Sequence, residues 1–396
     1  MSKRKIAIYN LNTYPEMSGG SERSCLELAM ELQKLGEDVS VVTLNPFRKG
    51  FEKIRYKSVE IYKLPLLNVY WPTSKKKKSI FSKIIWNIID IANIPMCLLL
   101  SIYLKKMGVN VVHTNNIKGM SPLIFPMLKM FGLKVIHTTR DYYLLDSGAW
   151  YRSLDSNHNS AKIKMKRVVK LLMSTSLDYV VYNSNYMKQY HESCGFFKSI
   201  PGKVIYNGFD PNIYQSVNKK NKIEVFGFIG RVTEEKGVDL LVSGFLKFNN
   251  GDYKLLIAGA TLEDFLTIYP GLREKLSKRT DIEFLGIINN ITFFDLVDCV
   301  VVPSRYNEPF GRVAMESIFM GKSVIVSDRG GLPEQIVAGV SGIVCSDSDY
   351  YGAMTKLINK NNVTGNEQSP DLDMFTINYS TLAYLEVYKE VSNDFQ

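Results

Sequence analysis

Short runs of β-branched and aliphatic residues recur along the chain. Each ends in a polar or glycine-bearing turn, and most are followed by a stretch with helical spacing. Lys5 to Asn10 (KIAIYN) is the first run. The loop after it closes on Gly19 and Gly20, and SERSCLELAMELQKLG then sets Cys25, Leu28, Ala29, Leu32 and Leu35 on one stripe. Ser21 is the expected N-cap of this helix and Gly36 its stop. DVSVVTLN, VNVVHTNN, LKVIHTTRDYYLL, LDYVVYNSNY and GKVIYNG repeat the rhythm. Strands without polar alternation, separated by helices, predict an α/β fold with a doubly wound parallel sheet. The polar stretch NGFDPNIYQSVNKKNKIE, with Pro211, breaks the rhythm and reads as a linker. A second series then begins: EVFGFIGRVTEEKGVDLLVSGFLKF, YKLLIAGA, DIEFLGII, Val300 to Val302, and Ser323 to Val326. Two domains are therefore expected, 1–208 and 209–376, with TLAYLEVYKEV in a final helix over about 377–396.

Residues 75–106 depart from this pattern. A basic run, Lys75 to Lys78, precedes SIFSKIIWNIIDIANIPMCLLLSIYLKK, which reads as a long apolar helix closed by Lys105 and Lys106. A membrane-spanning helix needs about 20 mostly apolar residues. Lys83, Asn87, Asp90, Asn93 and Pro95 interrupt this one, so a span is rejected. Two readings stay open: an amphipathic segment lying on a membrane surface, and a buried domain helix kinked at Pro95.

Composition adds four things. The chain is 396 residues with 45% hydrophobic and 22% charged content, ordinary for globular domains. SKRK runs directly into the first strand, so no secretory leader is expected. The five cysteines (25, 97, 194, 299 and 345) are odd in number and form no C-x-x-C, which favours reduced structural thiols and a cytoplasmic setting. Charge is uneven: residues 1–208 hold 31 Lys+Arg against 14 Asp+Glu, and the remainder 18 against 25. The basic half suits an anionic partner, such as an anionic membrane surface or substrate. No nucleic-acid module accompanies it, so no nucleic acid is expected.

Candidate chemistry gathers in the second half. Arg231 and Lys236 flank a strand end and a helix start in GRVTEEKG, a setting suited to a diphosphate. Glu308 and Glu316 stand eight apart, one before a helix starting near Arg312 and one inside it. They are not a pair on one helix face, yet each carboxylate can accept charge-assisted hydrogen bonds from sugar hydroxyls. In the first half, Gly19 and Gly20 let backbone amides approach a phosphate or sugar, although no G-x-G-x-x-G is present there.

NEPFGRVAMES followed by GGLPE resembles the E-x7-E signature of retaining glycosyltransferases of family 4. GRVTEEKG resembles that family's donor-phosphate loop, FLGII its nucleobase contact, and KVIYNGFD its hinge. The resemblance covers nearly the whole chain in the expected order. It implies the GT-B fold, two Rossmann-like doubly wound domains facing across a cleft, with the last helix packing back on the first. It implies a nucleotide-diphosphate sugar donor (a UDP-sugar favoured, a GDP-sugar next) and transfer to a glycan acceptor; the basic first half, the Lys75–Lys78 run and the apolar segment after it make a lipid-diphosphate-linked glycan, in bacterial surface polysaccharide synthesis, the expected acceptor. Carried over by residue, Arg231 and Lys236 hold the diphosphate, and Glu316 the ribose. Glu308 with Phe310 and Gly311 holds the donor sugar, Arg312 and Val313 open the helix behind the leaving phosphate, and Gly286 and Ile287 meet the base. No cofactor and no metal are expected, since cations and helix amides do that work. Where relatives carry a histidine after the strand of LKVIHTTRDYYLL, Thr138-Thr139-Arg140-Asp141-Tyr142 puts Arg140. His137 lies three residues earlier and reads either as the functional residue or as a core histidine. Arg140 and Asp141 are expected to shape the site, Arg140 against an anion. The other readings are a non-catalytic nucleotide-sugar binder and another enzyme of this fold, such as an epimerase.

Overall fold

The computed structural model describes residues 4–17, 19–72, 74, 77–145, 161–214, 222–336, 342–359 and 372–393. The chain divides into two compact units, Met1–Gly208 with Met374–Gln396, and Phe209–Asp373. The middle of the expected linker, 215–221, lies outside the described residues.

The first unit is built on an eight-stranded sheet. Its strands are β1 (Lys5–Tyr9), β2 (Asp38–Asn45), β3 (Glu52–Tyr56), β4 (Val59–Pro65), β5 (Val111–Thr114), β6 (Lys134–Thr139), β7 (Tyr179–Tyr182) and β8 (Gly202–Val204). Their order is β3-β4-β2-β1-β5-β6-β7-β8, all parallel except the β3–β4 hairpin at the edge. Helix Gly20–Lys34 lies against the sheet beside the C-terminal helix Ile377–Asn393. Leu28 and Leu32 meet Tyr384, Val387 and Tyr388 in one core. Strands such as β5 and β7 are buried along their whole length, as two covered faces require.

The second unit holds six parallel strands: β9 (Val225–Ile229), β10 (Lys254–Ala258), β11 (Ile282–Gly286), β12 (Cys299–Val302), β13 (Ser323–Ser327) and β14 (Gly342–Cys345). Their order, β11-β10-β9-β12-β13-β14, is the doubly wound order 3-2-1-4-5-6. Its switch point falls between β9 and β12, whose carboxyl ends carry the Arg231 and Glu308 loops.

Local differences from the sequence reading have local causes. Leu35 is not on the buried stripe but caps the helix, half exposed. The N-cap is Gly19, not Ser21, whose hydroxyl instead donates to Asn10 Oδ1 at 3.0 Å. The single helix expected over 80–106 is two, Ile80–Ile91 and Ile94–Lys106, bent by 44°. The break is made by Asn93, whose side chain caps Met96 N and donates to Leu67 O and Gly119 O. Pro95 sits in the first turn of the second helix, where no hydrogen bond is lost. Among the described residues no single helix is long and apolar enough to cross a membrane.

Candidate functional site

In the second unit, β9 runs into Gly230 and Arg231, and a short 3-10 turn, Glu234–Lys236, precedes helix Val238–Phe245. Gly237 joins them in the left-handed region (φ +64°); a Cβ there would lie 2.1 Å from Pro303 O. This contact brings the Lys236 turn against the end of β12. Lys236 Nζ lies 2.6 Å from Glu308 Oε1, and Ser304 Oγ donates to the same oxygen at 2.8 Å. The backbone of Glu308 is held in turn by Gly331 N, 2.8 Å from its carbonyl oxygen. Gly330 makes this possible, because a side chain at its φ of +64° would strike Glu308 O.

Arg305 completes the clamp, and the sequence reading missed it. Its guanidinium is bidentate to Asp239 at 2.7 and 2.6 Å and donates to Glu234 O at 2.8 Å, while its amide bonds Glu235 O. It thereby ties the Lys236 turn to the Glu308 loop. A lone arginine three residues beyond a strand carries no signal of this, because its partners are 66 and more positions away.

Helix Arg312–Phe319 follows, with Gly311 as N-cap at φ +89° and no side-chain cap. Glycine cannot cap through a side chain, so the first helical amides face the loop. Gln335 bonds the carbonyl oxygens of Phe310 and Gly311 and fixes the turn. Glu316 is buried one turn in. Its Oε1 accepts from Arg312 Nε at 3.2 Å and from Tyr214 OH at 3.1 Å, and its Oε2 from Asn290 Nδ2 at 3.1 Å. The Arg312 guanidinium also stacks over Phe209, 4.5 Å from the ring centre. Arg231 is exposed at the end of β9. At the end of β11, Gly286 has open space at its Cβ position, and Ile287 is 93% exposed. The structure thus brings Lys236, Glu308 and the Arg312 helix together, with Glu316 behind them.

The sequence contains two Asp-x-Asp triplets. Asp347 and Asp349 form a turn after β14, where Asp347 Oδ1 accepts from Asp349 N; the other, Asp371 with Asp373, lies partly outside the described residues. Among the described residues no group of three or more His, Cys, Asp or Glu side chains could hold a metal ion.

In the first unit, Arg140 follows β6 and is buried. Its Nε donates to Asn115 Oδ1 at 2.8 Å, Nη1 to Asn207 Oδ1, and Nη2 to Tyr384 OH at 3.4 Å. These partners are neutral, and no carboxylate pairs with Arg140 among the described residues. Asp141 lies beside it, with Oδ1 accepting from Tyr143 N and Oδ2 buried without a partner among the described residues. Burial pushes its carboxyl up to about 6 against the Tyr143 amide and the Lys118 and Lys170 charges. His137 is not in this group. It points to the opposite sheet face, packs edge-on to Phe125 and meets Thr114 Oγ1 at 2.9 Å. Burial pushes it down to about 3, so it is a neutral core histidine. At Gly19, Glu22 folds back over the helix start: a Cβ on Gly19 would lie 3.0 Å from its Oε2. An anion at Gly19 and Gly20 would have to displace that carboxylate.

Comparison with known proteins fits this arrangement. The family model described as glycosyltransferase family 4 matches residues 18–213, and the one described as glycosyl transferases group 1 matches 210–364. An uncharacterized 42.6 kDa protein in the cps region of Klebsiella pneumoniae is 30% identical over 97% of this chain and 99% of its own. The Salmonella typhimurium lipopolysaccharide 1,2-N-acetylglucosaminetransferase is 26% identical over 41% of this chain and 47% of its own. Among solved structures, sucrose-phosphate synthase from Thermosynechococcus elongatus superposes with a TM-score of 0.78 at 18% identity, covering 99% of this chain and all of that one. HepE of Anabaena in complex with UDP gives 0.72 at 16% identity, over 98% and 100%. The fold is therefore GT-B, and the chain belongs to the group 1 glycosyltransferases of the family 4 type.

Proposed function

We propose that the protein is a retaining, metal-independent hexosyltransferase that moves a sugar from a UDP-sugar to a hydroxyl of a lipid-diphosphate-linked glycan in bacterial surface polysaccharide synthesis. The observation that carries the donor reading is the meeting of Lys236, Glu308 and an uncapped helix start at the switch point of the second sheet. Ligands of such sheets bind outside the strand carboxyl ends, at that point. Arg231 and Lys236 supply the cations for a diphosphate, and the amides opening helix Arg312–Phe319 face the leaving oxygen. Glu308, already held by Ser304 and Gly331, accepts from donor-sugar hydroxyls. Glu316 accepts from the ribose in place of Asn290, and Gly286 and Ile287 leave a flat, open edge for the base.

The chemistry follows from those roles. The bond from the anomeric carbon to the β-phosphate oxygen breaks as the acceptor oxygen attacks from the same face. The departing phosphate oxygen takes the acceptor's proton. Configuration is kept without a protein base, and Glu308 and Glu316 are not the acid and nucleophile of a glycosidase. Arg140, buried among neutral partners, holds an anionic part of donor or acceptor. A UDP donor is supported by HepE, whose structures contain UDP and UDP-glucose. A surface polysaccharide is supported by the Klebsiella and Salmonella relatives.

A thermal-shift screen with UDP, GDP and ADP, followed by their sugars, selects the donor, since a ligand of the folded state raises the melting temperature. Proton NMR of the first product then reads its anomer. Retention without added metal is expected. Inversion, or activity lost in EDTA and restored by Mg²⁺, would overturn the mechanism.

A further inference from the structure

Helices Ile80–Ile91 and Ile94–Lys106 reverse the usual order of a surface helix. Each turns an apolar stripe to solvent, Ile80, Ile84 and Ile88 on the first and Ile94, Leu98 and Ile102 on the second, 38–78% exposed. Surface helices ordinarily carry charged residues at such positions. The inner faces are buried at Trp86 and Asp90 on the first helix and at Met96, Cys97, Leu100 and Leu104 on the second. Trp86 Nε1 donates to Tyr70 O at 2.9 Å, and the Asn93 bonds fix the bend, so the stripes stand on a braced support.

The exposed charges that the two helices and their flanks carry have one sign; beside the second helix, Glu60 near Tyr103 is paired with Lys53 at 2.7 Å. Lys77 and Lys83 are exposed at one end, Lys105 and Lys106 at the other. The sole acid of the pair, Asp90, points inward and accepts from Tyr143 OH at 2.7 Å and Gly119 N at 2.6 Å. An apolar stripe framed by lysines, on helices that expose no acid of their own, matches the boundary of a bilayer with anionic headgroups, where side chains enter the acyl edge and ammonium groups meet phosphates. A second copy of the chain fits worse. A two-fold contact sets the same patch against itself, and this patch offers its lysines no carboxylate.

We propose that this helix pair docks the protein on the surface of an anionic lipid bilayer, lying on it without crossing. The surface is separate from the donor site, and the inference holds whichever nucleotide or acceptor is used.

Flotation with phosphatidylglycerol–phosphatidylcholine vesicles, and with phosphatidylcholine alone, tests it. The protein should float with the anionic vesicles and be released as salt rises. Ile84→Asp/Ile88→Asp, at exposed positions, should lower binding by about tenfold or more while leaving the melting temperature and UDP binding unchanged. Lys105→Gln/Lys106→Gln should weaken binding at low salt by roughly fivefold per lysine removed. The proposal is overturned if the protein ignores anionic vesicles, or if the isoleucine variant binds as well as the parent. It is also overturned if sedimentation finds a dimer that this variant splits. Loss of UDP binding with vesicle binding intact would count against the donor reading alone.

Discussion

Lys236→Ala should destabilise the second unit, and adding Glu308→Gln should return most of the loss without restoring nucleotide binding. Lys236 Nζ lies 2.6 Å from Glu308 Oε1, with side chains 25% and 10% exposed. Without the lysine, Glu308 keeps only the Ser304 hydroxyl for that oxygen. Stranding one partner of a fully buried pair costs about 3–5 kcal/mol, and breaking an exposed pair about 0–1. The intermediate exposure here gives roughly 2 kcal/mol. A unit of this length, Phe209–Asp373, shifts its melting point by about 2–4 °C per kcal/mol, so a fall of roughly 4–8 °C is expected. In the double variant a neutral amide replaces the stranded charge and accepts from Ser304, so the melting point should recover by more than half. Calorimetry with UDP should find binding weakened in both variants, because the cation serving the phosphates is missing in each. A double variant no more stable than Lys236→Ala would refute the pairing argument, and full UDP affinity in both would remove Lys236 from the donor site.

Arg231→Ala should weaken UDP binding by roughly 1.5–3 kcal/mol in calorimetry with no change in melting temperature, since the side chain is exposed. Arg140→Ala should cut turnover strongly, whereas His137→Gln should lower the melting temperature and leave kcat near the parent value. The reverse pattern in folded proteins would make the histidine the functional residue. Asp141→Asn should stabilise the protein more at about pH 7.5 than at about pH 4. The folded-state pKa is raised to about 6 from 3.8, so the cost of the buried charge grows as pH rises through that window and is full above it. Melts across pH that show an equal gain at both ends would refute that assignment.

Strand positions were legible because buried parallel strands are written as bare apolar runs; Val300 to Val302 and Val180 to Val181 need no neighbour to be recognised. The Glu308 and Lys236 loops were legible because glycine and proline fix their turns locally. What escaped depends on partners distant in sequence. Arg305 matters through Asp239 and Glu234, and Glu316 is enclosed by Tyr214 and Asn290, 102 and 26 positions away. The helix break at Asn93 was assigned to Pro95 because the carbonyls that Asn93 meets come from Leu67 and Gly119. Face alternation alone did separate His137 from Arg140, but only the surrounding side chains show which of the two is core.

The C-terminal helix sends Tyr388 OH to His113 Nδ1 at 2.7 Å and Tyr384 OH to within 3.2 Å of Thr138 Oγ1, inside the first unit's sheet. On the ribosome, β5 and β6 therefore emerge long before the residues that cover them. The 165 residues of Phe209–Asp373 must be made in between. At about 5–20 residues per second, that leaves the half-formed sheet waiting roughly 8–33 s, its tyrosine sockets open to water and to other nascent chains. The second unit, continuous in sequence, can close while the first still waits.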